Sequence, residues 1–200
     1  MKRVIVSGGG TGGHIYPAVA VAEALRRRFG EEVEILFVGA EGKMEMEKVP
    51  ALGYRIVGLP VAGLQRRFDL KNLAVPFKVL KSIRKARRTI RDFGADVVVG
   101  FGGYASGPVL WAAQRMGIPT VIQEQNSYAG VTNKLLAKRA RTICVSYEGM
   151  ERFFPKEKIV MTGNPLRGRF SKAGADRREA LAHFGLRDDL PVLLVVGGSL

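Results

Sequence analysis

The chain has 200 residues, of which 46% are hydrophobic, enough to bury the core of one domain or of one domain and part of a second. Its single cysteine, Cys144, excludes an internal disulfide and is typical of a reducing compartment. No apolar run approaches the roughly 20 residues that span a bilayer, and no secretory signal is visible, so we expect a cytoplasmic protein that is soluble or lies on a membrane surface. The net charge of +14 leaves nucleic acid, anionic lipid and phosphorylated substrates open as partners.

Short runs rich in β-branched residues recur along the chain, separated by stretches with helical spacing. Runs that are apolar throughout are typical of strands buried on both faces, and their alternation with helices predicts an α/β fold with a doubly wound parallel sheet. The predicted strands are residues 4–6, 33–38, 54–57, 96–99, 120–122, 142–145, 159–161 and 192–196. The predicted helices are residues 17–29, 43–52, 75–93, 108–116 and 177–184.

The first glycine turn, "SGGGTGGHIYP", lies between a strand and a helix and has the G-x-G-x-x-G spacing from Gly8 to Gly13. Glycine permits positive φ and close approach of a ligand to the backbone, and the helix N-terminus that follows offers free N–H groups. Pro17 suits a first helical turn. A nicotinamide cofactor is disfavoured, because the second strand ends in Gly39 and Ala40 where a ribose-binding acid is needed. The turn therefore predicts an anion site.

Three further loops follow predicted strands: "GFGGYASGP" at 100–108, "QEQNSYAG" at 123–130 and "GGS" at 197–199. Loops after parallel strands gather at one edge of the sheet, where ligands bind. Several such turns together suit a large substrate that carries more than one phosphate. Taken singly, each glycine turn is equally compatible with a tight strand-to-helix connection, and the polar run from Glu124 to Asn126 with a solvated loop.

His14 ends the first glycine turn, at the start of a helix. The helix dipole there should lower the pKa of the imidazole and keep it neutral, as a general base requires. The alternative is a capping or packing role. The second histidine, His183, has no such surroundings and is expected to be structural.

Basic residues concentrate between residues 61 and 93, where ten lysines or arginines face two aspartates. In the helix predicted there, one apolar stripe can seat on the sheet: Val79, Ile83, Ala86, Ile90 and Phe93. A second apolar set is surplus to that contact: Leu70, Leu73, Phe77 and Leu80. Cations surround it: Arg66, Arg67, Lys71, Lys78, Lys81 and Arg84. This pattern predicts contact with an anionic membrane, a solvated basic face being the alternative; nucleic-acid binding is disfavoured, because no recognition motif is present.

The stretches "GGGTGGHIYPA", "GFGGYASGP", "QEQNSYAGVTNK", "TGNPLR" and "VVGGS" resemble, in order and spacing, the MurG family of glycosyltransferases (family 28). The resemblance implies the first half of a two-domain GT-B fold, with a Rossmann-like domain at 1–162 and, at 163–200, a linker and the start of a UDP-sugar-binding domain. It also implies a peptidoglycan-synthesis enzyme, peripheral at the cytoplasmic face of the bacterial inner membrane. The implied reaction transfers N-acetylglucosamine from UDP-N-acetylglucosamine, with inversion, to the C4 hydroxyl of a muramyl sugar on undecaprenyl diphosphate. No metal or other cofactor is implied.

Site residues follow from the same resemblance. The contacts to UDP-N-acetylglucosamine would fall on Thr11, Gly12, Gly13, Asn126, Arg167 and Ser199. The pyrophosphate of the lipid acceptor would lie against His14, Gly102, Gly103 and Tyr104. His14 is the expected base, with Glu124 in reserve, and the 200 residues alone are expected to be inactive.

Two other functions stay open on the sequence. The first is another GT-B transferase acting on a lipid, which differs in the acceptor that triggers UDP release. The second is a non-catalytic module that binds a membrane surface, and its vesicle binding would survive His14→Ala.

Overall fold

One parallel sheet carries most of the described chain. The computed structural model describes residues 1–61, 75–168 and 176–195. Within them the strands are β1 (Lys2–Ser7), β2 (Val33–Ala40), β3 (Arg55–Leu59), β4 (Val97–Gly100), β5 (Thr120–Glu124), β6 (Thr142–Val145) and β7 (Ile159–Met161). They lie in the order β3-β2-β1-β4-β5-β6-β7, each parallel to its neighbours. The first seven strand predictions are confirmed.

The helices of the same ranges are α1 (Gly12–Phe29), α2 (Glu45–Ala51), α3 (Val75–Phe93), α4 (Gly103–Arg115), α5 (Val131–Ala137) and α6 (Arg177–His183). Short 3-10 turns occupy Gly30–Glu32, Met150–Arg152 and Lys156–Lys158. The chain divides into two compact units, Met1–Gly168 and Arg169–Leu200. The predicted boundary between residues 162 and 163 stays a prediction.

Both faces of the sheet are covered. Ile5 points into a core formed with α3, α4 and α5, whereas Val4 and Val6 point into a second core formed with α1 and α2. Successive side chains of a strand lie on opposite faces, so strands buried on both sides must be apolar throughout. The predicted doubly wound α/β class is thereby confirmed.

Two helices begin earlier than predicted. Helix α1 starts at Gly12 and α4 at Gly103, so Pro17 and Pro108 each occupy the sixth helical position instead of the first turn. In α1 the carbonyl of Thr11 accepts bonds from the N–H groups of His14 and Ile15, which builds the helix ahead of the proline. The first turns of both helices are rich in glycine, which has low helix propensity and adds nothing to an apolar pattern, so the sequence does not reveal where these helices begin.

Two further elements differ from the predictions. Helix α5 was not predicted, because its seven residues include polar Thr132, Asn133 and Lys134 and are too short to show a period. The strand predicted at 192–196 is wrong for residues 192–195, which form no strand and expose Leu193 and Val195 almost fully. A strand needs a hydrogen-bonding neighbour, and the described part of the second unit contains only α6 as a regular element; residue 196 lies outside the described residues.

The site is positioned by the reversal of strand order between β1 and β4. From β1 the chain builds outward through β2 and β3 on one side, and from β4 through β7 on the other. Ser7 of β1 pairs with Gly100 of β4, so both strands end at the same level and their loops leave the sheet side by side. The crevice outside such a reversal is where doubly wound sheets bind ligands.

Candidate active site

A cavity of about 350 Å³ opens at this reversal, between the loops that follow β1, β4 and β5. Chain segments that are far apart in the sequence meet around it because their strands are neighbours in the sheet. Seven residues predicted for the site line it: Thr11, His14, Gly102, Gly103, Tyr104, Glu124 and Asn126.

The first two loops touch each other through bare backbone. Gly102 and Gly103 have φ values of +88° and +79°, a region that disfavours any side chain. A Cβ on Gly103 would overlap the carbonyl oxygen of Gly9, and one on Gly102 would lie 3.0 Å from Cδ2 of His14. Glycine is therefore required at positions 102 and 103 for two reasons: the backbone has positive φ, and the first loop lies too close to leave room for a side chain.

Glu45, at the start of α2, was not predicted and holds the first glycine turn in place. Its carboxylate is fully buried and accepts a 2.9 Å hydrogen bond from the N–H of Ala40. The N–H of Gly10 donates to both carboxylate oxygens, at 3.2 and 3.1 Å. A side chain on Gly9 would overlap this carboxylate, so the second glycine of the turn makes room for Glu45 and not for a ligand.

The amides that can face an anion are consequently fewer than the glycine count suggests. The N–H of Gly10 already donates to Glu45 and is not available to a ligand. Gly12 and Gly13, in the first turn of α1, have no preceding helical turn whose carbonyls could accept their N–H groups. The anion-binding capacity of the turn therefore concentrates at the N-terminus of α1.

His14 is the third residue of α1 and is half-buried at the cavity. Its Nδ1 lies 3.0 Å from Oγ1 of Thr11, within hydrogen-bonding distance. Burial lowers the pKa of the imidazole below its usual 6.5, an effect that the negative charges of Glu124 and Glu45 and hydrogen bonding to the Gly9 backbone partly oppose. The predicted lowering of the His14 pKa is confirmed, but its main cause is desolvation and not the predicted helix dipole.

Glu124 is buried at the end of β5 and saturated with donors. Its Oε1 accepts bonds of 3.1 Å from both the backbone N–H and the Nδ2 of Asn126. Its Oε2 accepts bonds of 2.9 Å from the backbone N–H of Gly130 and from Nδ2 of Asn133. This carboxylate organises the loop between β5 and α5, and to act as a base it would have to give up one of these bonds.

The remaining predicted donor contacts lie elsewhere or are not described. Gly12 and Gly13 adjoin the cavity in the first turn of α1 without lining it. The guanidinium of Arg167 packs 4.6 Å from the ring centre of Tyr16 on α1. Ser199 lies outside the described residues.

A separate apolar surface is formed by the N-terminal half of α3 with α4 and α5. Phe77 and Leu80 are 76% and 45% exposed, and the predicted cations Lys78, Lys81 and Arg84 are exposed on the same helix. Beside them lies a groove of about 730 Å³ whose apolar lining includes Val79, Ile83, Trp111 and Leu135. The predicted Leu70 and Leu73 lie outside the described residues.

The stripe of α3 that was predicted to seat on the sheet does so only in its C-terminal part. Ala86, Ile90 and Phe93 pack into the core below the sheet, as predicted. Val79, by contrast, is 41% exposed, because the N-terminal half of the helix extends into the groove. Across the described residues, no helix combines the length and the hydropathy that crossing a bilayer demands.

Comparison with known proteins decides the family. Residues 4–145 match the family model "Glycosyltransferase family 28 N-terminal domain". The chain belongs to this family. Relatives from Parabacteroides distasonis and Porphyromonas gingivalis are 60% and 59% identical to it, each over 99% of this chain. Both are named UDP-N-acetylglucosamine--N-acetylmuramyl-(pentapeptide) pyrophosphoryl-undecaprenol N-acetylglucosamine transferase.

Solved structures share the fold of this chain. The crystal structure of Acinetobacter baumannii MurG is 33% identical, with a TM-score of 0.71 over 86% of this chain and 48% of that one. A UDP-GlcNAc 2-epimerase from Neisseria meningitidis, at 16% identity and a TM-score of 0.60, covers 82% of this chain and 46% of its own, and shares the fold. The chain spans about half the length of the curated relatives it matches, 54% and 52% for the two named above.

Proposed function

We propose that the full-length protein containing this chain transfers N-acetylglucosamine from UDP-N-acetylglucosamine to the C4 hydroxyl of an N-acetylmuramyl-pentapeptide carried on undecaprenyl diphosphate. The relatives that bear this activity in their names are 56–60% identical over 99% of the chain. The described domain would supply the acceptor side of the active site, and residues 163–200 would begin the domain that binds the UDP-sugar.

The observation that carries the proposal is the position of half-buried His14 in the first turn of α1, at the reversal of strand order. In an inverting transfer the acceptor oxygen attacks the anomeric carbon of the donor sugar in a single displacement. The bond from that carbon to the UDP oxygen breaks, and the hydroxyl proton passes to a base. Because burial lowers the pKa of His14, its imidazole is unprotonated near neutral pH and can take this proton.

Among the described residues, those that line the cavity include no lysine or arginine, so the diphosphates need another source of positive potential. The first turn of α1, with the free N–H groups of Gly12 and Gly13, supplies a fixed dipole of this kind. We assign donor contacts to these residues and to Thr11, Asn126, Arg167 and Ser199. We assign the acceptor pyrophosphate to the segment Gly102, Gly103 and Tyr104 beside His14.

The direct test is sugar transfer by the full-length protein, with radiolabelled UDP-N-acetylglucosamine and the lipid-linked monosaccharide. His14→Ala should lower kcat by about 10²–10⁴-fold, the usual contribution of a general base. The matched control is His183→Ala, on α6, which should leave the rate unchanged. A His14→Ala protein with wild-type kcat would exclude His14 as the base and leave Glu124 as the candidate, whereas a wild-type protein without transfer would overturn the proposed function.

We also propose that the apolar surface of α3 binds an anionic membrane, which would hold the enzyme at the cytoplasmic face of the inner membrane where a polyprenyl acceptor resides. The exposed Phe77 and Leu80, flanked by exposed Lys78 and Lys81, support this contact. Each cation close to an anionic surface contributes about 1 kcal/mol. Replacing both lysines by glutamine should therefore weaken binding to phosphatidylglycerol vesicles about 30-fold, by the 1.36 kcal/mol that a tenfold change represents.

Two controls complete the vesicle experiment. The double lysine variant should bind neutral phosphatidylcholine vesicles no more weakly than wild type does, because only the charge term is removed. Leu52→Ser, a change of an equally exposed leucine next to α2, should not alter binding to either vesicle. Equal loss with Leu52→Ser and Leu80→Ser would contradict a membrane contact through α3.

A further inference from the structure

Asn133, the third residue of α5, carries a buried acceptor that nothing satisfies. Its side chain is 2% exposed and lines the same cavity as His14. Its Nδ2 donates a 2.9 Å hydrogen bond to Oε2 of Glu124. Its Oδ1 has no hydrogen-bond partner, the one such buried side-chain nitrogen or oxygen in the part of the chain that the structure describes. Buried polar atoms in native proteins are nearly always paired, so an orphan acceptor here points to a ligand.

The orientation of this amide follows from its neighbour. The two oxygens of Glu124 already accept bonds from the backbone N–H groups of Asn126 and Gly130, so Glu124 acts as an acceptor and has to face the NH₂ group of Asn133 and not its carbonyl. Flipping the amide would place two acceptors against each other. The carbonyl oxygen is thereby left on the side away from Glu124.

The chemistry of Oδ1 selects the kind of group that can meet it. A carbonyl oxygen needs a donor, and the diphosphates of both proposed substrates carry none at neutral pH. A sugar hydroxyl does carry one. This part of the cavity is therefore suited to the sugar part of a substrate, which carries hydroxyl and N-acetyl N–H donors, whereas the first turn of α1 is suited to phosphate.

Asn133 and His14 border the same point of the cavity. A Cβ built on Gly102 would lie 3.1 Å from Nε2 of His14 and 3.8 Å from Nδ2 of Asn133. A group that occupies the space beside this glycine backbone meets both side chains. The proposed base and the amide of Asn133 thus border one common position in the cavity.

We propose that Oδ1 of Asn133 accepts a hydrogen bond from the C6 hydroxyl of the acceptor sugar, since the proton of the attacking C4 hydroxyl passes to His14, and so orients that sugar beside His14. The inference rests on the proposed transferase function and adds to it a specificity contact. Glu124 acts through Asn133 in this arrangement, as a positioning residue that fixes the amide.

The test is a double-mutant cycle between the protein and its acceptor. In the full-length protein, binding constants are measured for the lipid-linked monosaccharide and for an analogue that lacks its C6 hydroxyl. In wild type, removing the bonded hydroxyl should weaken binding about 10- to 100-fold, as expected when a buried partner is left unpaired. With Asn133→Ala, the same analogue and the parent compound should bind equally well.

Asn126→Ala is the matched control, because it also removes amide donation to Glu124 but leaves Asn133 intact. In this variant the bonded hydroxyl should keep its full effect. If the analogue without the C6 hydroxyl binds wild type as tightly as the parent does, the inference is overturned without any variant, so it stays testable even if Asn133→Ala fails to fold. If the hydroxyl effect is undiminished in Asn133→Ala while wild type transfers sugar, the inference fails and the proposed function stands.

Discussion

Replacing Gly103 by alanine should damage the fold more than its backbone conformation alone explains. The positive φ of +79° costs an L-residue about 1–2 kcal/mol. The new methyl group would also overlap the carbonyl oxygen of Gly9 and lie 3.2 Å from its carbonyl carbon, both backbone atoms that cannot rotate away. Overpacking of this kind costs about 1–3 kcal/mol. We therefore expect a loss of about 2–5 kcal/mol from a free energy of unfolding that is typically about 5–15 kcal/mol.

Gly117 provides the matched control. Its φ is +74°, almost the same as that of Gly103, and a Cβ there would meet no atom within 4 Å. Gly117→Ala should therefore cost only the conformational part, about 1–2 kcal/mol. The free energies of unfolding are measured in urea for wild type and both variants. Equal losses in the two variants would refute the contact between the loops that follow β1 and β4.

Two further predictions concern charged groups. Because the pKa of His14 lies below 6.5, kcat/KM should rise with pH through a midpoint below 6.5 and then level off, and this limb should be absent from the residual activity of His14→Ala. The free energy of unfolding should likewise fall as the pH drops below 6.5, because the imidazole of His14 takes up its proton at a higher pH in the unfolded state than in the folded one. Urea titrations at several pH values check this. They should not show this contribution of His14 in the His14→Ala variant. Glu45→Ala should cost about 2–4 kcal/mol in urea unfolding, because two backbone N–H groups lose their buried partner. Glu47→Ala, exposed on the same helix, should cost less than about 0.5 kcal/mol, and a similar loss in both variants would contradict the role of Glu45.

The sequence was a good guide wherever one local pattern determines one structure. Runs such as residues 35–38 are apolar on both faces, as a strand covered on both sides of a sheet must be, and they lie in β2. Glycines such as Gly102 and Gly103 sit where the backbone has positive φ and no room for a side chain. Their place beside His14 follows from the rule that parallel strands open their loops at one edge.

The residues that the sequence did not reveal depend on long-range contacts. Glu45 reads as an ordinary acidic residue in the first turn of a helix, and only the fold brings its carboxylate to Gly10, 35 positions away. Asn133 lies within the quoted "QEQNSYAGVTNK", but its orphan carbonyl arises from burial and from the demand of Glu124 for donors. The strand predicted at 192–196 failed for a related reason, because strand formation depends on a neighbour that no local pattern encodes.

The shared position of proline in α1 and α4 has a mechanical consequence for the cavity. Pro17 and Pro108 have no N–H, so the carbonyls of Gly13 and Tyr104 receive no bond from the residue four places on. The first turns of α1 and α4 are therefore each held to the rest of their helix by one backbone hydrogen bond fewer than in a helix without proline. A displacement of either turn would therefore break one backbone hydrogen bond fewer than in a helix without proline, although Glu45 and the contact between Gly9 and Gly103 still hold the two loops against each other.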